Sequence, residues 1–191
     1  KAQSIKLGSY DAISVSVLDY AKVLFALDDS ALMTNEKKLM ADALVYANAA
    51  IKLISTDHTE NAEIADLLDK NASYKSTPKN ITPEEKNVDA VKSGVNAAYL
   101  DLESSPKFIF DLKDGAEVSV SYTNFWGTTV TKTSVGGQIV IDDMRIFDFA
   151  NEITITVGIN TATYSLANYA ASENIDENTM NLCNALYTYI E

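Results

Sequence analysis

Near residue 91 the spacing of apolar residues changes from three and four to two, and this switch limits the available folds more than any other feature. Ahead of it, Leu39, Met40, Ala43, Leu44, Ala47, Ala50, Ile51 and Ile54 recur at three- and four-residue intervals, which predicts a long amphipathic helix. Thr34 reads as its N-cap and Glu36 as the acid of its first turn. A shorter helix is expected over 17–27, with Leu18, Ala21, Val23, Leu24 and Leu27 on a broad apolar face. It is entered from a strand-like piece at 12–17 and stopped by Asp28-Asp29-Ser30. Asp57 and Glu60 read as a capping box for a third helix carrying Ile64, Leu67 and Leu68. Residues 71–90 have no period and contain Pro78 and Pro83, so they read as a connector.

Beyond the switch the chain reads as strands over 95–102, 107–112, 117–122, 128–134, 138–144, 153–157 and 161–165. Asp114-Gly115 and Gly136-Gly137 each predict a hairpin, because both pairs tolerate the positive φ of a tight turn. Arg145–Phe149 is expected to prolong its strand after a kink, with Phe147 and Phe149 sharing one buried face. Asp176 then caps a last helix carrying Met180, Cys183, Leu186, Tyr187 and Ile190. The expected class is α+β: a mainly helical portion over 1–70, a connector over 71–90, and an Ig-like antiparallel β-sandwich closed by a C-terminal helix over 91–191.

The formal net charge of −12 argues against binding to nucleic acid or docking on an anionic membrane. One cysteine, Cys183, rules out an internal disulfide or a cysteine-rich zinc site. No apolar run is long enough to cross a bilayer, and no signal-peptide pattern is present. The chain opens at Lys1 and closes at Glu191 inside a helical pattern, so both ends read as cuts in a larger protein.

Catalytic chemistry finds little to work with. His58, the sole histidine, lies among Asp57, Thr59 and Glu60 and reads as a solvated cap. Cys183 sits on an apolar helix face and reads as a buried thiol. The pairs Asp28-Asp29, Glu84-Glu85 and Asp142-Asp143 read as surface charge; neighbours on a strand point to opposite faces, so Asp142 and Asp143 cannot share one substrate there. No calcium loop or phosphate-binding glycine fingerprint is present. The expectation is a non-enzymatic chain without metal or cofactor.

The segment Tyr122-Thr123-Asn124-Phe125-Trp126-Gly127 carries the only tryptophan, and Tyr122, Asn124, Phe125 and Trp126 are the candidate ligand-binding residues. An exposed Trp126 fits a binding module; a buried one plugs the sandwich and fits a structural spacer with no ligand of its own. The helical face is a competing contact surface.

The sequence also resembles itself. Ser16-Val17-Leu18-Asp19-Tyr20-Ala21 matches Ser165-Leu166-Ala167-Asn168-Tyr169-Ala170, each after a strand-like piece. Each precedes a capped helix with an alanine–leucine–tyrosine cluster, at 43–46 and at 185–189. These features resemble a repeat module of long surface and secreted proteins of gut Firmicutes; the second unit resembles it throughout and the first only in its closing half. The resemblance implies a non-catalytic building block of a multidomain extracellular or cell-surface protein. Its implied partners are a host protein, immunoglobulin included, or a glycan, together with neighbouring domains of the same chain.

Overall fold

A computed structural model describes residues 3–5, 13–82, 89–101, 106–171 and 175–190. The pair Glu84-Glu85 lies outside the described residues. Helices and antiparallel sheets form two compact units. One gathers the residues up to 79 with 184–189; the other gathers 80–183 with 190.

In the first unit, strands β1 (Gln3–Ile5) and β2 (Ile13–Val15) pair antiparallel and lead into helices α1 (Val17–Ala26), α2 (Ala31–Ile54) and α3 (Ala62–Lys70). Ala21, Ala41, Leu44, Ile64 and Leu68 form the core between the helices. The caps differ from those read in the sequence. Ser30, not Thr34, caps α2: its hydroxyl accepts the Met33 N–H at 3.2 Å, while Thr34 already donates to the Ser30 carbonyl inside the first turn. Asn61 caps α3 by accepting from both Glu63 and Ile64, whereas Asp57 is occupied by the Thr59 hydroxyl and Glu60 by Lys52 and Asn48.

The buried stripe of α2 also differs. It runs Lys37–Ala41–Leu44–Asn48, and the expected core residues Leu39 and Ile54 face solvent, as do Val23 and Leu27 after α1 begins. Two polar residues can lie on the buried stripe because each is satisfied. Lys37 Nζ donates to the Leu27 carbonyl at 2.6 Å and to Asp29 at 2.7 Å. Asn48 accepts the Asn61 N–H at 2.8 Å. The start of the connector is fastened to this unit: the Tyr74 hydroxyl donates to Asp29, and Ser76 donates to Asp42 through both N–H and Oγ.

Among the described residues the second unit has seven strands, β3 (Val95–Asp101), β4 (Lys107–Leu112), β5 (Glu117–Thr123), β6 (Thr129–Val135), β7 (Gln138–Ile141), β8 (Ile153–Val157) and β9 (Asn160–Tyr164), followed by α4 (Leu166–Ala170) and by the first turns of α5 (Glu177–Ile190), whose residues 184–189 belong to the first unit. They form two antiparallel sheets, β3-β4-β7 and β6-β5-β8-β9. Alternation supplies the core between them: Phe108 and Phe110 from β4, Val118 and Val120 from β5, and Ile153 and Ile155 from β8 are all buried. Tyr164 meets Phe108 and Phe110 edge-on, each at 5.9 Å, and Phe149 stacks on Phe108 at 5.3 Å. Asp176 caps α5 as expected, accepting the Thr179 N–H at 2.7 Å.

Neither glycine turn is a hairpin. Asp114-Gly115 carries the chain from β4 in one sheet to β5 in the other, and Gly136-Gly137 carries it from β6 back to β7. The two arches lie side by side, with the Gly136 N–H donating to the Ala116 carbonyl at 2.9 Å and the Leu112 N–H donating to Gly137 at 2.8 Å. A hairpin would put Phe108, Phe110, Val118 and Val120 in one sheet; the arch sets them face to face, where each covers the other. Residues 146–150 are not a strand either but a 3₁₀ turn, whose period of three separates Phe147 from Phe149: Phe149 is buried and Phe147 is 40% exposed.

Candidate functional site

Strands β5 and β6 form a true hairpin, closed by the pair Thr123↔Thr129, and residues 124–128 make its loop. Asn124 builds that loop. Its side-chain Oδ1 accepts the N–H groups of Trp126 at 3.0 Å and Thr128 at 2.9 Å, while its backbone carbonyl accepts from Gly127 at 2.8 Å. Gly127 stands at φ +74°, where a side chain would be strained.

Two further side chains hold the loop from below. The buried carboxylate of Asp148 accepts the N–H of Phe125 at 2.5 Å and of Arg145 at 2.9 Å. Asn151 Nδ2 donates to the Thr123 carbonyl at 2.7 Å. The backbone is therefore fixed at several points, while its aromatic side chains project outward: Phe125 is 62% exposed and Trp126 66% exposed.

The exposed rings form one cluster. Phe125 meets Trp126 edge-on at 5.1 Å and Phe147 at 6.0 Å with the planes tilted by 41°. The Arg145 guanidinium lies 5.1 Å from the Trp126 ring centroid, a cation–π contact that settles the indole. The result is an exposed aromatic cluster on a braced loop, with one cation held against it.

Of the four candidate residues, Phe125 and Trp126 form the patch and Asn124 shapes it. Tyr122 does not belong to it: it faces inward on β5 and is 5% exposed, so its role is to support the hairpin from the core. Burial, with the charges of Asp143 and Asp148, raises its phenol pKa. Phe147, Arg145 and Asp148 join the site only in the folded chain. Arg145 does carry a signal as the only arginine in the sequence; Phe147 is hidden by the alternation that makes its segment look like strand.

Further along β6, Lys132 Nζ sits 3.2 Å from Asp142 and 3.1 Å from Asp143. Strand β7 ends at Ile141, so the alternation expected to separate these two carboxylates does not reach them, and both clamp one lysine. Burial works against the Lys132 charge, but the hydrogen bonds it donates to Asp143 and Asp142 outweigh it and raise its pKa. The hydrogen bond from Lys132 lowers that of Asp142.

The other candidates for chemistry lie apart from any reactive partner geometry. His58 occupies an exposed turn at φ +52°, not a helix cap, with its Nδ1 3.2 Å from the Lys52 carbonyl. Cys183 is buried, and burial pushes its thiol up to about 12. In the first unit, Tyr20, Leu24, Leu39, Met40, Ala43 and Tyr189 line a shallow groove of about 260 Å³, the competing helical surface. Among the described residues there is no group of three side chains able to hold a metal ion, and no helix is long and apolar enough to cross a membrane. No protein-family model matches the chain, and none of the curated proteins or solved structures compared with it does so.

Proposed function

We propose that the chain is a non-catalytic binding module of an extracellular or cell-surface protein, and that Phe125, Trp126 and Phe147 grip a host protein. The observation that carries this reading is the exposure of Trp126 on a loop held rigid by Asn124 and Asp148. Exposed aromatics lose little conformational entropy on binding and dominate protein interfaces. The alternative, an inert spacer, gives no reason to hold three rings in water on a braced hairpin.

The shape of the patch favours protein over glycan. A sugar face needs a flat ring flanked by free hydrogen-bonding groups. Here Phe125 stands at 78° to Trp126, Phe147 tilts away, and the Asn124 side-chain oxygen is consumed by the loop's own N–H groups. Exposed rings set at angles to one another suit a groove on a folded protein, immunoglobulin being one candidate. The strand order also supports an Ig-like reading of the sandwich: strands one, two and five form one sheet, and four, three, six and seven the other.

The test is a pull-down from serum and mucin proteins alongside a glycan array, each with the unaltered chain and with Trp126→Ala. Capture of a defined protein that is lost in the variant supports the proposal. Glycan retention that depends on Trp126 replaces the protein partner with a carbohydrate, and no Trp126-dependent ligand in either arm leaves the spacer reading in place.

A further inference from the structure

The helical groove of the first unit is built from two stripes beside the core. Helices α1 and α2 pack together across the short link 27–30. Each turns one stripe inward, through Ala21 from α1 and Ala41 and Leu44 from α2. The neighbouring stripes line the groove: Tyr20 and Leu24 from α1, and Leu39, Met40 and Ala43 from α2. Tyr189 of α5, gathered into the same unit, completes the lining, and its ring is held by stacking on Tyr46 at 6.3 Å. Tyr20 is 50% exposed and Leu39 52% exposed. Val17 and Leu32, at three- and seven-residue spacing from them, are exposed as well and prolong the two stripes.

One charge stands in this lining. Glu36 is half-buried against the apolar side chains and, among the described residues, makes no hydrogen bond or ion pair. The acids around it are satisfied: Asp19 by Ser16, Asp29 by Lys37 and Tyr74, and Glu63 by Lys22. A carboxylate that gives up water to apolar neighbours without gaining a partner is destabilised, and a cation brought to it restores a charge-assisted bond.

Three features define the occupant. The backbones of α1 and α2 are hydrogen-bonded within their own helices, so a partner lying along them must satisfy its own N–H and C=O groups, as a helix does. The groove, at about 260 Å³, is smaller than a pocket that encloses a small molecule (about 300–1,000 Å³) and suits side chains presented by a larger partner. Glu36 and the net charge of −12 call for a cation. A second copy seated groove to groove would bring two Glu36 carboxylates into one apolar contact.

We propose that this groove takes a basic amphipathic helix of a partner protein, whose apolar stripe packs on Leu24, Leu39 and Met40 and whose lysine or arginine pairs with Glu36. About three helical turns match the stretch from Leu32 to Ala43. Tyr20 and Tyr189 offer ring surface to the apolar stem of the basic side chain. The surface shares no residue with the aromatic loop, so either one can fail alone.

The experiment titrates the ¹⁵N-labelled 191-residue chain with a leucine–lysine peptide of about 14 residues, patterned as one amphipathic helix, and follows amide shifts by NMR. Salt is kept at about 0.15 M, which screens charges beyond about 8 Å. Shifts are expected to concentrate over residues 17–24 and 32–43. Glu36→Gln is expected to weaken the peptide by about five-fold and Leu39→Asp by about ten-fold or more. Both side chains lie outside the core, so the spectra of the variants are expected to retain the native dispersion. Equal affinity for a scrambled peptide or for a leucine–glutamate peptide overturns the proposal. So do shifts spread over acids throughout the chain, an affinity unchanged by either substitution, or no shifts at peptide concentrations of about 1 mM.

Discussion

Asp148 and Trp126 illustrate how buried and exposed residues divide the work of one loop. The Asp148 carboxylate is buried and satisfies two backbone N–H groups, so truncation strands both donors as well as removing charge-assisted bonds. Asp148→Ala is expected to cost about 3 kcal/mol in denaturant unfolding. Trp126 rests on the surface, and Trp126→Ala is expected to change stability by less than about 0.5 kcal/mol while weakening the ligand by about 30-fold. Parallel unfolding and affinity measurements that show the reverse ordering contradict the site. The sequence pointed at this loop through its aromatics, but not at Asp148, because burial of a carboxylate depends on a 3₁₀ turn that alternation disguised as strand. Tyr122 was misplaced for the opposite reason: an aromatic next to a loop looks like a contact until strand parity sets its face.

Buried acids set the alkaline limit, Cys183 and Tyr164 foremost. Burial raises the Cys183 thiol from 9.0 to about 12 and pushes the Tyr164 phenol, which donates to the Ala98 carbonyl at 3.0 Å, well above its ordinary 10.0. Both stay protonated in the folded chain at pH values where the unfolded chain has ionised. Unfolding then releases protons, so the stability they contribute is intact below about pH 9 and is lost as pH climbs toward 12. Urea titrations at successive pH values are expected to show this decline, and Cys183→Ala is expected to flatten its first part. A stability that is constant across the window is incompatible with both groups being buried.

At the level of elements, the helices and strands were mostly legible, and their connections were not. Period gave α2 and the seven strands because side-chain burial follows face; the cap positions slipped because Ser30 and Thr34, or Asp57 and Asn61, offer the same chemistry a few residues apart. Asp114-Gly115 allows a sharp reversal, but the dipeptide does not say whether the strands it joins lie in one sheet or two. One glycine shows what that packing demands. Gly94 precedes β3, and a Cβ there would lie 2.8 Å from both methyls of Val157 and 3.0 Å from Val118. Gly94→Ala is expected to destabilise by about 1–3 kcal/mol through this overlap. Adding Val157→Ala is expected to recover part of the loss, and a double-mutant cycle with no coupling between the two positions rejects the contact.

For the whole molecule, the net charge of −12 is the strongest influence that reaches beyond the cores. Local ion pairs oppose its self-repulsion, among them Lys22–Glu63, Lys70–Asp66 and Lys92–Asp89, but their side chains are well exposed. Exposed pairs of this kind contribute only about 0–1 kcal/mol each. A surplus of like charge spread over the surface acts over longer distances, and raising ionic strength from about 0.01 to 0.15 M shortens the screening length from about 30 to 8 Å. Repulsion between remote carboxylates is then quenched, while the Lys37–Asp29 bridge, 2.7 Å long and anchored by a buried lysine, is much less affected. Stability is therefore expected to rise with salt, with Tm increasing by about 2–4 °C for each kcal/mol of repulsion removed. Thermal scans at neutral pH in chloride up to about 0.15 M, below the range of specific salt effects, measure this directly. A Tm that falls with salt would mean that paired charges, rather than the acidic surplus, govern the electrostatics of the fold.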